Sequence, residues 1–219
     1  MSSNVPPSGS SEPSIPSAVP VFPLMKTVFF PNTLLPLHIF EERYRAMTRD
    51  AINTDGLMVI ALCDENERIR GVAGLGRIIQ HEELKDGRFH ILLQGIHRVR
   101  IVEEHPMGSL LYRRVRPEVL PDEEEESQLI DEKLMALYRC VDRLVQSMPE
   151  EMESIAALTN KVEDPSILAN VVCAAVMDPF EKRQAALEEL VISKRLHYAT
   201  DALAEILLNH FPQDGQVPH

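Results

Sequence analysis

The stretch VFPLMKTVFFPNTLLPLHIFEERYRAM, residues 21–47, decides the fold class of this 219-residue chain. It opens with two short apolar runs that prolines bound, as is typical of short strands, because proline belongs at strand starts, edges and loops. A helical pattern follows, in which Phe40, Tyr44, Met47 and Ala51 share one face. The stretch therefore predicts strands followed by a single covering helix.

Further short strands follow this stretch up to residue 120. LMVIALC (57–63) reads as a buried strand, and GVAGLGRIIQHEEL (71–84) as a glycine-rich one. DGRFHILLQGIHRVRIVEE (86–104) predicts two strands divided near Gly95. Six or seven strands at this spacing predict a mostly antiparallel β-barrel over residues 19–120. The order G-x-x-G-x-G within a strand pattern favours glycines at barrel bends over a dinucleotide loop.

The period changes after PDEEEES, residues 121–127, which we interpret as an acidic hinge. Apolar residues then recur at alternating steps of four and three, as in a helix seam that packs inside a bundle: Ile130, Leu134, Leu137, Val141, Leu144 and Met148. Asp164-Pro165 and Asp178-Pro179 each resemble a helix start with an Asp N-cap. Residues 128–211 are thus expected to form four or five helices, with 167–177 central and the last over about 194–210.

The termini, the apolar runs and the cysteines indicate the compartment in which the protein is found. Residues 1–18, rich in Ser and Pro, and 212–219 are expected to be tails, the first disordered. The N-terminus lacks the pattern of a secretory signal, and no apolar run approaches the roughly 20 residues of a membrane helix. Three widely spaced cysteines fit a reducing compartment. We therefore expect a cytoplasmic protein without membrane contact.

The net charge of −12 lies in the second half of the chain. Residues 19–120 carry 14 Lys/Arg against 13 Asp/Glu, whereas residues 121–219 carry 8 against 20. Nucleic-acid affinity comes largely from neutralising phosphates, so nucleic acid is an unfavoured partner. The absence of Trp and an aromatic content of 5% also argue against a base-stacking platform.

Motifs for chemistry are absent from the sequence. It contains no Walker loop, no HExxH, no Cys-x-x-Cys and no G-x-S-x-G, and Ser193-Lys194 are merely adjacent. We therefore predict no catalytic residues, no cofactor-binding residues and no metal ligands, and expect a protein that is not an enzyme.

Two groups of residues are candidates for a binding surface. Period-2 alternation cannot bury both Phe29 and Phe30, so one should be exposed near Glu41, Glu42 and Arg43, unless it packs against the helical half. The second group is an arginine set, which could be a solvated face towards the acidic helices, an RNA-contacting face or a contact for an acidic or peptide partner: Arg98, Arg100, Arg113, Arg114 and Arg116.

Five ordered motifs over residues 19–120 resemble the N-terminal substrate-binding domain of the ATP-dependent Lon proteases. They are P-V-F-P-L from Pro20, V-x-F-P from Val28, P-L-x-I-F-E-x-R-Y from Pro36, D-G-R from Asp86 and G-x-x-R-x-x-I from Gly95. The resemblance implies an α+β fold, namely a PUA-like barrel with one helix followed by a helical bundle. Full Lon proteases continue into ATPase and peptidase modules, which these 219 residues lack, so the chain resembles the family's stand-alone form.

The resemblance implies a non-catalytic module that binds unfolded or tagged polypeptides, with a protease or chaperone as a possible further partner. The candidate peptide-binding residues are then Phe29, Phe30, Glu41, Glu42, Arg43, Arg98, Arg100 and Arg114. An RNA-binding PUA-like protein and a cryptic hydrolase are the alternatives. The sequence does not specify the oligomeric state.

Overall fold

The computed structural model describes residues 15–210, which form six strands and six helices. The strands are β1 (Val19–Leu24), β2 (Leu34–Ile39), β3 (Leu57–Leu62), β4 (Val72–Glu83), β5 (Phe89–His105) and β6 (Arg114–Val119). The helices are α1 (Glu42–Ile52), α2 (Ser127–Ser147), α3 (Pro149–Lys161), α4 (Pro165–Val176), α5 (Phe180–Glu188) and α6 (Ile192–His210). The α+β fold class is confirmed, with the strands first and five helices after them.

The strands form a ring-like sheet, and for short we call this sheet with α1 the barrel and α2–α6 the bundle. Their order is β2-β5-β4-β3-β1-β6, and a further pairing of β5 with β6 closes the ring. All pairings are antiparallel except that of β1 with β3. The strand β5 is continuous, contrary to the predicted division near Gly95. The pairs Leu75–His97 and Gly76–Gly95 leave Ile96 as a bulge, which bends one long strand instead of ending it.

The segment between β1 and β2 crosses the glycine-rich part of the sheet. A Cβ at Gly74 would lie 2.1 Å from the Phe29 carbonyl oxygen, and one at Gly95 would lie 2.1 Å from that of Phe30. The glycines are therefore required by the close approach of another backbone, a more specific reason than the predicted barrel bends.

Phe29 and Phe30 are both buried, so the prediction of an exposed aromatic here is wrong. Phe29 packs in the barrel core with residues such as Phe22 and Leu93. Phe30 instead packs in the helical core with Leu168 and Val172. The alternative, that the extra phenylalanine packs against the helical half, is confirmed.

The helical half is a bundle around α4 and α6. The predicted seam is on α2, where Leu137, Val141 and Leu144 are buried, and α4 is the central helix with Leu168 and Val172 fully enclosed. Asp164 caps α4 as predicted, because its side chain accepts a hydrogen bond from the Ile167 amide. The second predicted cap is wrong: α5 begins at Phe180 with Pro179 in the capping position.

A buried charge cluster joins the barrel to the bundle, and we call it the Asp122 junction. Arg98 of β5, only 3% exposed, donates to the Leu187 carbonyl, to Asn170 at 3.2 Å and to Asp122 at 3.2 Å. Asp122 also pairs with the buried Arg195 of α6 at 2.7 Å. The segment expected to be a hinge is thus tied to both halves of the molecule.

The ends of the chain fall partly outside the described residues. The predicted tail 1–18 is described only from residue 15, where Ile15 packs against the barrel core and the Ser17 carbonyl lies 2.9 Å from His105 Nε2. The predicted tail 212–219 lies wholly outside the described residues.

Candidate functional site

A cleft opens on the barrel between α1 and the loop that joins β5 to β6, and we call it the α1 cleft. It has a volume of about 260 Å³. Its lining comes from β1, the start of α1, the β3–β4 loop and the β5–β6 segment: Val21, Pro23, Arg43, Tyr44, Glu67, Glu104, Met107, Leu111, Tyr112 and Arg113. Elements distant in sequence meet here because the ring closes β6 against β1.

The walls of the α1 cleft combine apolar and aromatic side chains with four charged ones. Val21, Pro23, Tyr44 and Tyr112 are buried. Met107 and Leu111, in contrast, are 50% and 54% exposed, although both line the cleft. Exposed apolar side chains on the rim of a cleft are typical of a place where another molecule is bound.

Two ion pairs frame the cleft and neutralise its charge. Arg43 donates to Glu67 at 3.0 Å, and Arg113 donates to both carboxylate oxygens of Glu104, at 2.6 and 2.7 Å. Hydrogen bonds from the two arginines hold the pKa of Glu67 and of Glu104 below their usual values. Arg113 also donates to the Glu67 carbonyl at 2.7 Å, so the two pairs are connected.

Aromatic contacts fix the floor of the cleft. The ring of Tyr44 lies 4.2 Å from that of Phe22, and the Arg43 guanidinium stands 4.6 Å above the Tyr44 ring. The Tyr112 hydroxyl donates to Asp50 of α1 at 2.8 Å. Burial, followed by this bond to a carboxylate, raises the pKa of Tyr112 to about 12, so the hydroxyl stays protonated. The two tyrosine side chains on the floor are therefore uncharged at neutral pH.

The structure separates the residues that the sequence proposed as one binding surface. Arg43 lines the α1 cleft, and Glu41 pairs with it at 3.1 Å, whereas Glu42 is an exposed first residue of α1. Phe29 and Phe30 are buried in two cores.

The arginine set does not form one face. Arg98 is buried in the Asp122 junction, so the prediction that it lies on a solvated face is wrong. It does form an ion pair with Asp122 of the acidic segment. Arg100 is exposed on β5 and Arg114 is half-buried on β6. Arg113 and Arg116 pair with Glu104 and Glu103.

Sequence reasoning missed most of the cleft. Met107, Leu111 and Tyr112 belong to the stretch MGSLLY between β5 and β6, an apolar run in a loop, and such a run was the available signal. No sequence pattern marks Glu67, because its pairing with Arg43 depends on how the β3–β4 loop folds back against α1.

Other concave surfaces are present. A cavity of about 310 Å³ lies between α5 and α6 around Met177, Tyr198 and Ala202. Another of about 310 Å³ lies where Met25 and Lys26 meet Phe180. The second of these has one strongly exposed apolar side chain, Met25, at 62%. The α1 cleft has two, Met107 and Leu111.

The cysteines, Ser193 and Lys194 are the nucleophilic side chains whose surroundings bear on chemistry. Burial raises the pKa of the Cys63, Cys140 and Cys173 thiols, the last to about 12. The Ser193 hydroxyl donates to Glu125, and Lys194 lies 3.6 Å from Glu189. Within residues 15–210, no group of three or more His, Cys, Asp or Glu side chains is arranged to hold a metal, and no helix could cross a membrane.

Comparison with known proteins gives a family match over most of the chain. The family model of the ATP-dependent protease La (LON) substrate-binding domain matches residues 18–205. Lon protease 2 of Myxococcus xanthus is 27% identical over 206 residues, which are 90% of this chain and 25% of that protein. Lon protease 1 of Bdellovibrio bacteriovorus is 28% identical over 198 residues, 86% of this chain and 24% of that protein. The chain spans about a quarter of the length of these relatives.

Two solved structures are similar in fold. The N-terminal domain of the Mycobacterium avium complex Lon protease superposes with a TM-score of 0.69 at 22% identity, covering 86% of this chain and 98% of that one. A Lon N-terminal domain protein from Xanthomonas campestris gives a TM-score of 0.58 at 18% identity, covering 82% and 95%. At these identities the likeness concerns the fold.

Proposed function

The chain belongs to the family of the ATP-dependent protease La (LON) substrate-binding domain, and from that premise we propose that it binds apolar segments of other polypeptides in the α1 cleft without catalysis. The observation that carries the proposal is the pair of strongly exposed apolar side chains, Met107 and Leu111, on the rim of a cleft whose charged side chains are paired with one another. A cleft of about 260 Å³ accommodates one or two side chains of a bound polypeptide.

The charges of the cleft support an uncharged apolar ligand. Arg43 and Arg113 are each paired with a carboxylate of this chain, so binding of an anion would first require those pairs to open. An apolar side chain needs no such change, and its burial contributes about 1.5–3 kcal/mol. The same pairing argues against RNA, since Arg113 and Arg116 are paired with Glu104 and Glu103 while Arg98 is buried.

The state of the nucleophiles supports binding without chemistry. A thiol whose pKa is raised is protonated at neutral pH and is a poor nucleophile, which applies to all three cysteines. Ser193 is buried and bonded to a carboxylate, while Lys194 faces a different one. We infer that the whole protein acts as a binding module and not as a hydrolase.

The partners follow from the family. We propose that the ligand is an unfolded or tagged polypeptide and that a protease or chaperone receives it, since the similar proteins are themselves Lon proteases. Three free thiols support a reducing compartment, so we propose the cytoplasm.

The test is binding of an unfolded polypeptide, with reduced and carboxymethylated α-lactalbumin as the fluorescein-labelled probe. We expect Leu111→Asp to weaken binding by roughly 10-fold to 100-fold, because it removes one apolar contact and adds a charge to the cleft. Leu34→Asp is the matched control, since Leu34 is 59% exposed on β2, outside the cleft.

Three results would contradict the proposal. The wild-type protein could fail to bind the probe, which would remove polypeptide binding altogether. The two variants could lose affinity equally, which would move the site away from the α1 cleft. Labelled single-stranded RNA could bind in low salt with a steep salt dependence, which would favour the RNA alternative.

A further inference from the structure

Two histidines face each other on the outside of the sheet, away from the α1 cleft. His38 of β2 is directly opposite His90 of β5 in the register. Directly opposite residues of antiparallel strands have Cβ atoms about 4.5–5.5 Å apart. The two ring centroids are 4.9 Å apart, and both side chains are exposed. The rings meet edge to face, with 64° between their planes, so the two imidazoles are in contact before any ligand arrives.

The separation of the rings suits chelation of one metal ion. A transition metal bound to a ring nitrogen at about 2.0–2.1 Å lies about 3.2 Å from the ring centroid. Two centroids 4.9 Å apart then subtend about 100° at the ion. This value lies between the angles of octahedral and tetrahedral coordination. One ion can therefore contact both imidazoles when the side chains rotate out of their edge-to-face arrangement, without a change of the backbone.

The local charge favours a cation. Glu82 of β4 is opposite His90 in the register, and its carboxylate lies 3.9 Å from His90 Nδ1. On the other side, the His38 ring neighbours the Phe40 ring at 6.0 Å between centroids. The pair thus has an acidic neighbour on one side and an apolar neighbour on the other.

We propose that His38 and His90 form a two-residue clamp for a divalent transition cation, such as Cu²⁺, Ni²⁺ or Zn²⁺. Imidazole is a favoured ligand for all three, with Cu²⁺ the tightest. Since residues 15–210 contain no arrangement of three ligands around a metal, water fills the remaining coordination positions. The site is independent of polypeptide binding and uses none of the cleft residues.

The clamp has a structural consequence for β2. Among the described strands, β2 pairs only with β5 and is therefore the edge of the sheet beyond the ring. A cation held by one histidine of each strand cross-links this edge to β5. Because the clamp exists only in the folded chain, metal binding should raise the thermal stability of the protein.

The experiment titrates NiCl₂ or CuCl₂ into the full chain without an added histidine tag and measures binding by calorimetry. We expect His38→Gln and His90→Gln each to lower the affinity by at least about tenfold, because either change converts a two-point contact into a one-point contact. The double variant loses the remaining one-point contact as well and should bind no better than either single variant. His81→Gln is the matched control, since His81 is exposed on β4 but faces Ile91 in the register.

Thermal unfolding with and without the metal gives a second readout. We expect the metal to raise the Tm of the wild type and of His81→Gln, and to leave the Tm of the two clamp variants unchanged. Wild-type affinity in His38→Gln or His90→Gln would overturn the proposal. So would an equal loss in His81→Gln, because binding would then come from scattered histidines. All three substitutions are at exposed positions, so misfolding does not account for a loss.

Discussion

Replacing Asp122 by alanine should destabilise the folded chain more than the loss of any exposed ion pair. Its carboxylate contacts the guanidinium of Arg98 at 3.2 Å and that of Arg195 at 2.7 Å, and it accepts a hydrogen bond from Ser166. Arg98 is 3% exposed and Arg195 is fully buried. Alanine would therefore leave two buried cations next to each other with no anion between them.

The magnitude follows from the cost of an unpaired buried charge. Breaking a buried ion pair from one side typically costs about 3–5 kcal/mol. Whole domains are stable by about 5–15 kcal/mol, so the change removes a large share of the folding free energy. For a chain of this length, about 4 kcal/mol corresponds to a fall in Tm of roughly 8–16 °C.

The assay is urea unfolding followed by circular dichroism, together with the Tm. Glu104→Ala is the control for an ion pair near the surface, where a pair contributes about 0–1 kcal/mol. Asp122→Asn keeps the shape and the hydrogen-bond acceptor of the side chain, so its loss should be smaller than that of alanine. Adding Arg98→Met to Asp122→Ala should recover part of the loss by removing one unpaired cation.

Two outcomes would refute this reasoning. If Asp122→Ala unfolds within about 1 kcal/mol of the wild type, the carboxylate is not compensating buried cations. If the losses from Arg98→Met and Asp122→Ala simply add, the two residues are independent and the Asp122 junction is not one energetic unit.

Two further predictions concern the crossing segment and the pH dependence. Gly95→Ala should destabilise the fold by about 1–3 kcal/mol in urea unfolding, because its Cβ would lie 2.1 Å from the Phe30 carbonyl oxygen. Gly71→Ala is the control and should change stability little, because the space around its Cβ is open. Equal effects of the two substitutions would contradict the packing argument. Burial pushes the pKa of Asp122 upward, but hydrogen bonds from Arg195 and Ser166 and the charge of Arg98 outweigh it, so this pKa is below its ordinary value of 3.8. The stabilisation from Asp122 is thus complete above that value and is lost as the pH falls through the lowered pKa. The stability advantage of the wild type over Asp122→Asn should shrink in acid, and a gap that widens in acid would contradict the assignment.

The strands and helices could be predicted largely because local patterns specify them. The seam of α2, the cap at Asp164 and the buried strand β3 each follow from residues adjacent in sequence. The continuity of β5 could not be predicted in this way. A bulge at Ile96 and a break look alike in a sequence, since both interrupt the alternation.

The prediction for Phe29 and Phe30 failed because it assumed one core. Alternation along a strand sends neighbouring side chains to opposite faces, and one face of a single barrel is solvent. These residues are not in a strand, and their segment lies between the barrel and the bundle. Each ring therefore enters a different core, which no local pattern reveals.

The candidate site was harder to predict than the fold, because its charges belong to contacts that are long-range in sequence. Arg43, a candidate from the sequence, lines the α1 cleft, but its partner Glu67 is 24 residues away. Arg98 was placed on a solvated face because a strand arginine usually is; its burial depends on Asp122 and on the distant Arg195.

The acidic segment 121–127 shows that charge composition alone does not predict whether a segment is a mobile linker. A run of carboxylates in water repels itself and favours an extended, mobile linker. Here Asp122 compensates two buried arginines, Glu125 accepts hydrogen bonds from the Ser193 amide and hydroxyl, and the Glu123 amide donates to the Leu190 carbonyl. These contacts fasten the segment to β5 and α6 together. Because Phe30 also belongs to the helical core, barrel and bundle share both their apolar and their charged interiors. The bundle therefore supports the barrel and its α1 cleft. A substitution at the Asp122 junction should weaken ligand binding only by lowering the fraction of folded protein, because no residue of the junction lines the cleft.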